Sequence, residues 1–288
     1  MSVDRFERAL LLPALVVFVP LLLGPIAVLL AESLKPYEGG RIGGTDGAGL
    51  TFTNYTDIWN PSYAHYFSDT FRIGLIVAVA ALLLGYPIAH FVVRIAAPRL
   101  SKAILIGLIA MLFLSMIVRI YAITMTYGPL GPLAEVSWLF GIDPRERVHT
   151  EMMVIFGLLH AVLPLVALTL IGTVQTLNPR LEEAAISLGA PHWKAFFAIT
   201  LMLSVPGILS AGIIGYAFCI SNLVVPMIMG KGFVVFVSNL IYFRFSEVSN
   251  FPSGAAISII MLLVSLGLFY GAMRFVANLW PPVKPRSR

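Results

Sequence analysis

The sequence predicts an all-α integral membrane protein, and three of its features lead to this fold class. Of the 288 residues, 59% are hydrophobic and only 11% are charged, whereas a soluble domain carries about 25% charged residues. The mean hydropathy is +0.92, so the chain lacks the polar side chains that would cover a water-soluble surface. Several apolar runs are long enough to cross a bilayer as helices. The composition therefore excludes soluble enzymes and disordered proteins.

Six helical spans are predicted from stretches that contain few or no charged side chains. A helix needs roughly 20 apolar residues to cross a hydrocarbon core of about 30 Å, and these runs lack the alternating pattern of barrel strands. The predicted spans are residues 9–31, 72–94, 103–126, 152–174, 200–222 and 254–276. Away from the span ends, Arg119 is the one charge in them. We expect a single transmembrane domain over residues 1–288.

Six spans place both termini on one side of the membrane, and the basic residues indicate which side. The terminal segments and the loops after the second and fourth spans contain more Lys and Arg than Asp and Glu, and the opposite loops contain more acidic residues. By the positive-inside rule, both termini are predicted to be cytoplasmic. The net charge of +5 follows from this asymmetry, and we expect no nucleic acid as a partner.

The aromatic part of the first long outer loop, residues 32–71, is predicted to be packed rather than free. It carries Tyr55, Trp59 and Tyr63 among other aromatic side chains. So many exposed rings would form an apolar patch, and proteins rarely expose a large patch of this kind to solvent. We expect them to pack on the ends of the helices of this chain or on a partner protein.

Catalytic and metal-binding roles are not predicted for this chain. The one cysteine, Cys219, lies in an apolar run, and the histidines are scattered without the spacing of a metal site. No nucleotide-binding Gly-x4-Gly-Lys-Ser/Thr sequence occurs. We therefore expect no enzymatic activity, no metal and no cofactor on this chain.

Residues 178–189, between the fourth and fifth spans, predict a short cytoplasmic helix with its own start and end. Asn178 is a favourable N-cap, and Pro179 suits the first helical position. Glu182 and Glu183 follow at the positive end of the helix dipole. Gly189 suits the left-handed conformation that ends many helices.

This segment resembles the EAA signature of the permease subunits of ABC importers. It reads Glu183-Ala184-Ala185, three residues, Gly189, nine residues, Ile199, and then Leu201 after one more residue. The signature ends in Leu-Pro, and this chain has Met202 where the proline stands. The nearest proline is Pro206, so the local bend of the fifth span is the feature affected.

The resemblance implies the type I ABC importer fold and a division of labour among subunits. In this family the short helix docks into a cleft of a separate ATPase subunit, present in two copies, which holds ATP and Mg. A second homologous permease and an extracytoplasmic binding protein complete the importer, which lies in the bacterial inner membrane as a multi-pass protein. The implied docking residues are Glu182, Glu183, Ala184, Ala185, Leu188 and Gly189.

Shorter stretches are similar to the spermidine/putrescine-type importers within this family. They are Asn54-Tyr55, Gly85-Tyr86-Pro87-Ile88-Ala89, Arg119-Ile120-Tyr121-Ala122 and Phe251-Pro252-Ser253-Gly254-Ala255-Ala256. The resemblance implies a small amine as solute, above all a polyamine. Relatives that carry amino acids, their derivatives or organophosphonates remain an alternative, because this chain has Ser221-Asn222 where many polyamine-type relatives have an acidic residue.

An ion-coupled secondary transporter is the alternative from another class. That class predicts inverted repeats and carboxylates inside the membrane. The sequence displays neither feature.

Polar and aromatic residues near the outer ends of the spans are predicted to border the translocation pathway. A straight helix from Lys102 would raise Arg119 by about 25 Å, to the outer interface. There the side chain could gate the pathway, contact an anionic group of the solute, or anchor the helix. The predicted pathway residues are Arg119, Tyr121, Tyr127, Tyr216, Ser221 and Asn222.

Small residues at helical spacing predict close contacts between helices. Gly207, Ala211 and Gly215 form such a ridge on the fifth span, and Gly267 and Gly271 form one on the sixth. Ridges of this kind let helices approach closely in lipid. We expect packing within the chain in preference to a contact between chains.

Overall fold

The computed structural model describes residues 3–40, 42–45, 49–139 and 141–279, and these residues form helices and loops without a β-strand. The α-helices, in chain order, are α1 Val3–Ser33, α2 Thr53–Thr56, α3 Pro61–His90, α4 Pro98–Phe113, α5 Met116–Tyr127, α6 Glu135–Leu139, α7 Arg147–Thr176, α8 Arg180–Ser187, α9 His192–Ala195, α10 Met202–Ile220, α11 Val224–Met229, α12 Val237–Tyr242 and α13 Phe251–Leu279. A 3-10 turn, Asp57–Trp59, follows α2, and π-helical turns extend α3, precede α10 and follow α12 at Phe91–Ile95, Phe196–Leu201 and Phe243–Glu247.

Five helical stretches in the described part of the chain are long and apolar enough to cross a membrane. They are Val16–Ser33, Pro61–Ile95, Arg147–Thr176, His192–Ile220 and Phe251–Arg274. They overlap five of the six predicted spans, and the helices of the second and fourth predicted spans extend past the predicted bounds at both ends. The helices continue past the first charged residue, because charged side chains at helix ends can pair with one another.

The third predicted span is wrong as a single straight helix. Residues 103–126 fall in α4 and α5, which meet at an angle of 96° and together are apolar enough for one span. Leu114 and Ser115 have extended backbone at the break. Neither proline nor glycine stands there, and Ser115 is the only residue of a type that favours a helix start. The rise of about 25 Å calculated for Arg119 from a straight helix is therefore also wrong.

The helices cluster into two compact units, Met1–His65 with Asn239–Arg288, and Tyr66–Ser238. In the first unit α13 packs against α1 and α2. The Asn54 amide donates hydrogen bonds to the carbonyl oxygens of Ser33 and Lys35, both at 2.9 Å. These bonds hold α2 against the end of α1. The prediction of one domain over residues 1–288 stays a prediction.

The aromatic residues of the predicted outer loop 32–71, part of which forms the start of α3, divide into packed and exposed ones. The hydroxyl of Tyr55 lies 2.7 Å from the hydroxyl of Ser33. The Arg244 guanidinium donates to the hydroxyl of Tyr63 and lies over its ring. Trp59, in contrast, is 87% exposed. Packing on the chain's own helices thus accounts for Tyr55 and Tyr63 but not for Trp59.

The second unit is built around α7, which contacts α4, α5, α10 and α11. Leu158, Val162, Val166 and Leu170 succeed one another along one side of α7 and have no exposed surface. This apolar stripe recurs at helical spacing, and its burial stabilises the unit.

Small residues allow α10 to lie directly against α7, as the sequence predicts. A Cβ atom on Gly207 would lie 2.1 Å from Cγ2 of Thr173, and one on Gly215 would lie 2.8 Å from Cγ2 of Val166. The ridge on the fifth span therefore packs within the chain. On the sixth span, no atom lies within 4 Å of a Cβ built on Gly267. The prediction that this second ridge packs within the chain is therefore wrong.

We expect the Gly207→Leu variant to lower the free energy of unfolding by about 1–3 kcal/mol, because the new side chain overpacks the contact with Thr173. The Gly267→Leu variant is the matched control, since it makes the same chemical change on another apolar helix with open space around it. Thermal unfolding of both variants in detergent measures the difference. Equal unfolding midpoints would contradict the close α7–α10 contact.

Candidate functional site

The short helix α8 has the start and the end that its sequence predicts. The Asn178 side-chain oxygen accepts a hydrogen bond from the backbone N–H of Arg180 at 3.1 Å. At the other end Gly189 has a φ of +93°. Its N–H donates to Ile186 at 2.9 Å and the N–H of Ala190 donates to Ala185 at 3.1 Å, which is the bond pair of a Schellman cap. Local chemistry therefore determines both ends of this helix.

Most of the predicted docking residues lie on the exposed side of α8. Glu183, Ala184, Leu188 and Gly189 are exposed, and Ala185 is half-buried. Leu188, which directly follows α8, is 89% exposed. The exposed side thus combines one carboxylate, small residues and one large apolar side chain. Its docking role stays a prediction.

Glu182 differs from the other predicted docking residues, because its carboxylate forms a hydrogen bond with another part of the chain. It accepts a hydrogen bond from the hydroxyl of Thr200, in the π-helical turn before α10. The Ser204 hydroxyl donates to the Thr200 carbonyl oxygen at 2.7 Å and lies 2.9 Å from the Tyr86 hydroxyl. We call Glu182, Thr200, Ser204 and Tyr86 the α8 network, because they connect α8 to α10 and α3.

Arg94 fixes the end of α7 that precedes α8. Its guanidinium donates hydrogen bonds to the carbonyl oxygens of Val174 and Leu177 at 3.4 and 2.8 Å. The Val174 carbonyl oxygen also accepts the backbone N–H of Leu177 at 3.3 Å, and a cation at this end interacts favourably with the helix dipole. The end of α7 is therefore attached to the turn that follows α3.

Met202, at the position of the signature proline, begins the regular part of the fifth span. The π-helical turn Phe196–Leu201 ends directly before it, and α10 then continues through Pro206 to Ile220. The local irregularity of this span thus occurs without a proline at position 202.

All six predicted pathway residues lie in the unit Tyr66–Ser238, on α5 and at the end of α10. On α5, Tyr121 is 50% exposed, and the Tyr127 ring meets Phe156 edge to face at 5.8 Å. On α10, Tyr216 is half-buried, and a Cβ on Gly74 would lie 3.2 Å from its ring. Ser221 is exposed, and its hydroxyl donates to the carbonyl oxygen of Ala217 at 2.8 Å. Their role in transport stays a prediction.

Asn222 is buried at the corner where α10 ends. Its side-chain oxygen accepts a hydrogen bond from the Val225 N–H at 3.0 Å, and its carbonyl oxygen accepts one from the Ser238 hydroxyl at 2.8 Å. Its amide nitrogen lies 3.9 Å from the sulfur of Met116 on α5. Asn222 therefore positions α11 and connects the end of α10 to α5.

The helix α11 was not predicted from the sequence, although its residues are apolar. Val225 and Met229 are buried, and α11 packs on α7. The run of apolar residues that follows Asn222 is too short for a span, but it is long enough for a buried helix.

Arg119 lies on α5, half-buried, and part of its guanidinium has no partner. Its Nε and Nη1 atoms are buried and form no hydrogen bond. Its charge acts on the imidazole of His160 on α7. Among the described residues, no carboxylate forms an ion pair with Arg119.

A charged cluster missed by the sequence analysis lies at the opposite end of α7 from α8. The Asp69 carboxylate, with only 4% of its side chain exposed, accepts two hydrogen bonds from Arg147 at 3.0 and 2.9 Å. Arg72 lies 3.5 Å from Asp69 and 2.7 Å from Glu151. We call these four residues the Asp69 cluster. They join the first half of α3 to the first two turns of α7.

Relatives of known name match most of the chain, although no family model matches it. The spermidine/putrescine transport system permease protein PotB of Haemophilus influenzae is 31% identical over 223 residues, which cover 76% of this chain and 78% of the relative. PotB of Escherichia coli K12 is 30% identical over 218 residues, covering 75% and 78% of the two chains.

The fold matches solved importer structures. A bacterial alginate ABC transporter in complex with an alginate pentasaccharide-bound periplasmic protein matches with a TM-score of 0.72 at 18% identity, over 96% of both chains. An amino acid ABC transporter with histidines matches with a TM-score of 0.52 at 14% identity, over 79% of this chain and 98% of that one. Together with the relatives, this shared helical fold shows that the chain belongs to the family of spermidine/putrescine transport system permeases, the inner-membrane permease subunits of ABC importers.

Proposed function

We propose that this chain forms half of the translocation pathway of an ATP-driven importer and that the solute is a polyamine such as spermidine or putrescine. The observation that carries the ATP-driven part is α8, which is bound through Glu182 to the π-helical turn before α10 while its other side is exposed. The polyamine assignment is supported by the names of relatives that are 31% and 30% identical to the chain.

The proposed orientation places α8 and both termini in the cytoplasm. It counts α4 and α5 as one bent span, so that the chain crosses the membrane six times. The distribution of Lys and Arg supports this orientation. The Asp69 cluster then lies at the extracytoplasmic end of the bundle.

In the proposed importer two ATPase subunits bind ATP and Mg, and one of them receives α8. The small side chains of Ala184 and Ala185 let the helix approach the surface of the cleft closely. The exposed carboxylate of Glu183 attracts a basic residue of the ATPase, and Leu188 supplies an apolar contact. The exposure of Glu183 and Leu188 supports this arrangement.

Movement of α8 is proposed to reach the pathway through the α8 network. The Glu182–Thr200 hydrogen bond transmits it to α10, and the contact between Ser204 and Tyr86 transmits it to α3. The far end of α10 carries Tyr216, Ser221 and Asn222. A displacement of α8 therefore changes the position of side chains proposed to border the pathway.

The rest of the pathway is proposed to come from a second, homologous permease, and an extracytoplasmic binding protein is proposed to deliver the solute. The solved alginate transporter contains a periplasmic protein bound to its own solute, which supports such a partner. In this chain Tyr121, Tyr127 and Tyr216 are the aromatic side chains proposed to meet a cationic amine.

Reconstitution of the complete complex in vesicles tests the proposed function. We expect labelled putrescine or spermidine to enter only when ATP is present on the side of the ATPase subunits, and vanadate to stop the uptake. Uptake driven by an ion gradient without ATP would contradict the importer mechanism. ATP-driven uptake of another solute, without any uptake of amines, would contradict only the polyamine assignment.

A further inference from the structure

Two π-helical turns meet beside α8, one at the end of α3 and one before α10. The first, Phe91–Ile95, begins directly after His90, and the second, Phe196–Leu201, begins with Phe196. The rings of His90 and Phe196 meet edge to face, with their centroids 4.8 Å apart. In both stretches the change from α to π geometry therefore occurs at the same contact. Single π-helical turns of this kind are rare and occur frequently at functional sites.

Phe196 contacts two residues of α3 that are one helical turn apart. Its ring also meets the ring of Tyr86 edge to face, with the centroids 6.1 Å apart. Tyr86 and His90 stand at positions i and i+4, so they lie on one face of α3. The charge of Glu182 acts on both of them. The carboxylate of α8 and the ring of Phe196 therefore adjoin the same face of α3.

Arg94 attaches the segment that precedes α8 to the same end of α3. It lies in the first π-helical turn and donates hydrogen bonds to the carbonyl oxygens of Val174 and Leu177, where α7 ends. Phe196, in contrast, lies after α8, on the part of the chain that leads into α10. The chain thus contacts the end of α3 both before and after α8.

We propose that Phe196 is a positioning residue for transport, whose ring transmits the movement of α8 to α3 through its contacts with Tyr86 and His90. This proposal rests on the proposed function, which supplies the movement. Packed side chains have low compressibility, so a ring in contact with α3 passes a displacement on to it. The α8 network reaches α3 through hydrogen bonds that end at the hydroxyl of Tyr86. The ring contact is a separate connection, because it uses no hydrogen-bonding group.

The ratio of uptake to ATP hydrolysis by the complete complex in vesicles tests this ring contact. Phe196→Met retains a long apolar side chain but removes the ring. We expect this variant to retain its ATPase subunits and to transport about fivefold less solute per ATP hydrolysed, because the edge-to-face contacts are lost. Phe196→Tyr retains the ring, and we expect it to transport as the wild type does. A ratio is the suitable measurement, since a general loss of folded complex lowers uptake and ATP hydrolysis together.

Three further variants make the result specific. Phe197→Met is the matched control, since it makes the same change at the next position, where Phe197 is 56% exposed, and we expect it to retain the wild-type ratio. His90→Leu removes the same ring contact from α3, so we expect a lowered ratio from it as well. It tests the proposal even where Phe196→Met does not assemble. Phe196→Met combined with Thr200→Val is expected to transport less than either single variant, because the two changes remove different connections.

The outcomes separate this proposal from the proposed function. Wild-type uptake that does not depend on ATP overturns both. If the wild type is driven by ATP and the ratio is unchanged in Phe196→Met or in His90→Leu, the role of the ring contact is overturned and the importer function stands. An equal loss in Phe196→Met and Phe197→Met, or in Phe196→Met and Phe196→Tyr, likewise overturns the ring contact, because the loss then does not depend on a ring facing α3.

Discussion

We expect the Thr200→Val variant to transport about tenfold less solute per ATP hydrolysed while it retains its ATPase subunits. Valine has the shape of threonine but cannot donate the hydrogen bond to Glu182. A hydrogen bond to a charged group contributes about 1.5–3 kcal/mol, and about 1.4 kcal/mol corresponds to a factor of ten. Thr200 is 4% exposed, so it cannot form part of the docking surface. The loss of transport would therefore come from weaker transmission of movement from α8 to α10 and not from weaker docking of the ATPase.

The ratio of uptake to ATP hydrolysis in reconstituted vesicles measures this effect. Thr176→Val is the matched control. Thr176 lies at the end of α7 that precedes α8, and its hydroxyl donates to the carbonyl oxygen of Thr173 in its own helix, at 2.7 Å. We expect it to transport as the wild type does. Adding Glu182→Ala to Thr200→Val is expected to cause little further loss, since both changes remove the same bond. An unchanged ratio in Thr200→Val would show that α8 moves α10 by other contacts.

The ends of α8 could be predicted because they depend on residues adjacent in sequence. Asn178 and Gly189 act on backbone groups within a few positions of themselves. Glu182 and Thr200 are 18 residues apart in sequence. Their hydrogen bond therefore depends on how the fifth span packs. Glu182 therefore looked like a docking residue from the sequence, although the structure places its carboxylate against the chain itself.

The membrane-crossing helices could be located by hydropathy, but their limits could not. Because an isolated charge is costly in a membrane, the prediction began the second span at residue 72 and the fourth at residue 152, although α3 and α7 begin earlier. Asp69 and Arg147 avoid that cost by pairing with each other. This contact depends on the tertiary fold. The break between α4 and α5 likewise could not be predicted, because Ser115 is the only residue there of a type that favours a helix start.

The polar residues of the pathway could be found as exceptions in apolar helices, but their contacts could not be predicted. Asn222 caps α11, a helix that the sequence analysis did not contain. Arg119 lacks a partner among the described residues. Which atoms of Arg119 are buried depends on the tertiary fold and could not be predicted from the sequence.

We expect the Arg147→Gln variant to lower the free energy of unfolding by about 2–3 kcal/mol, because it leaves the buried carboxylate of Asp69 with a poor partner. The remaining cation, Arg72, is 3.5 Å from Asp69 and already pairs with Glu151. Half of the Arg147 side chain is exposed, so we place the cost below that of a fully buried pair. Thermal unfolding in detergent measures it.

A second change separates the stranded carboxylate from the simple loss of arginine contacts. Asp69→Asn retains the shape of the side chain but removes its charge, so the double variant has no unpaired buried anion. We expect it to unfold within about 1 kcal/mol of Asp69→Asn alone, because the coupling between the two sites is large. Arg145→Gln, at an exposed position nearby, is the control and should not change the midpoint. If the double variant is as unstable as Arg147→Gln, then the arginine stabilises the ends of α3 and α7 by packing, and the buried charge of Asp69 is not the reason for the loss.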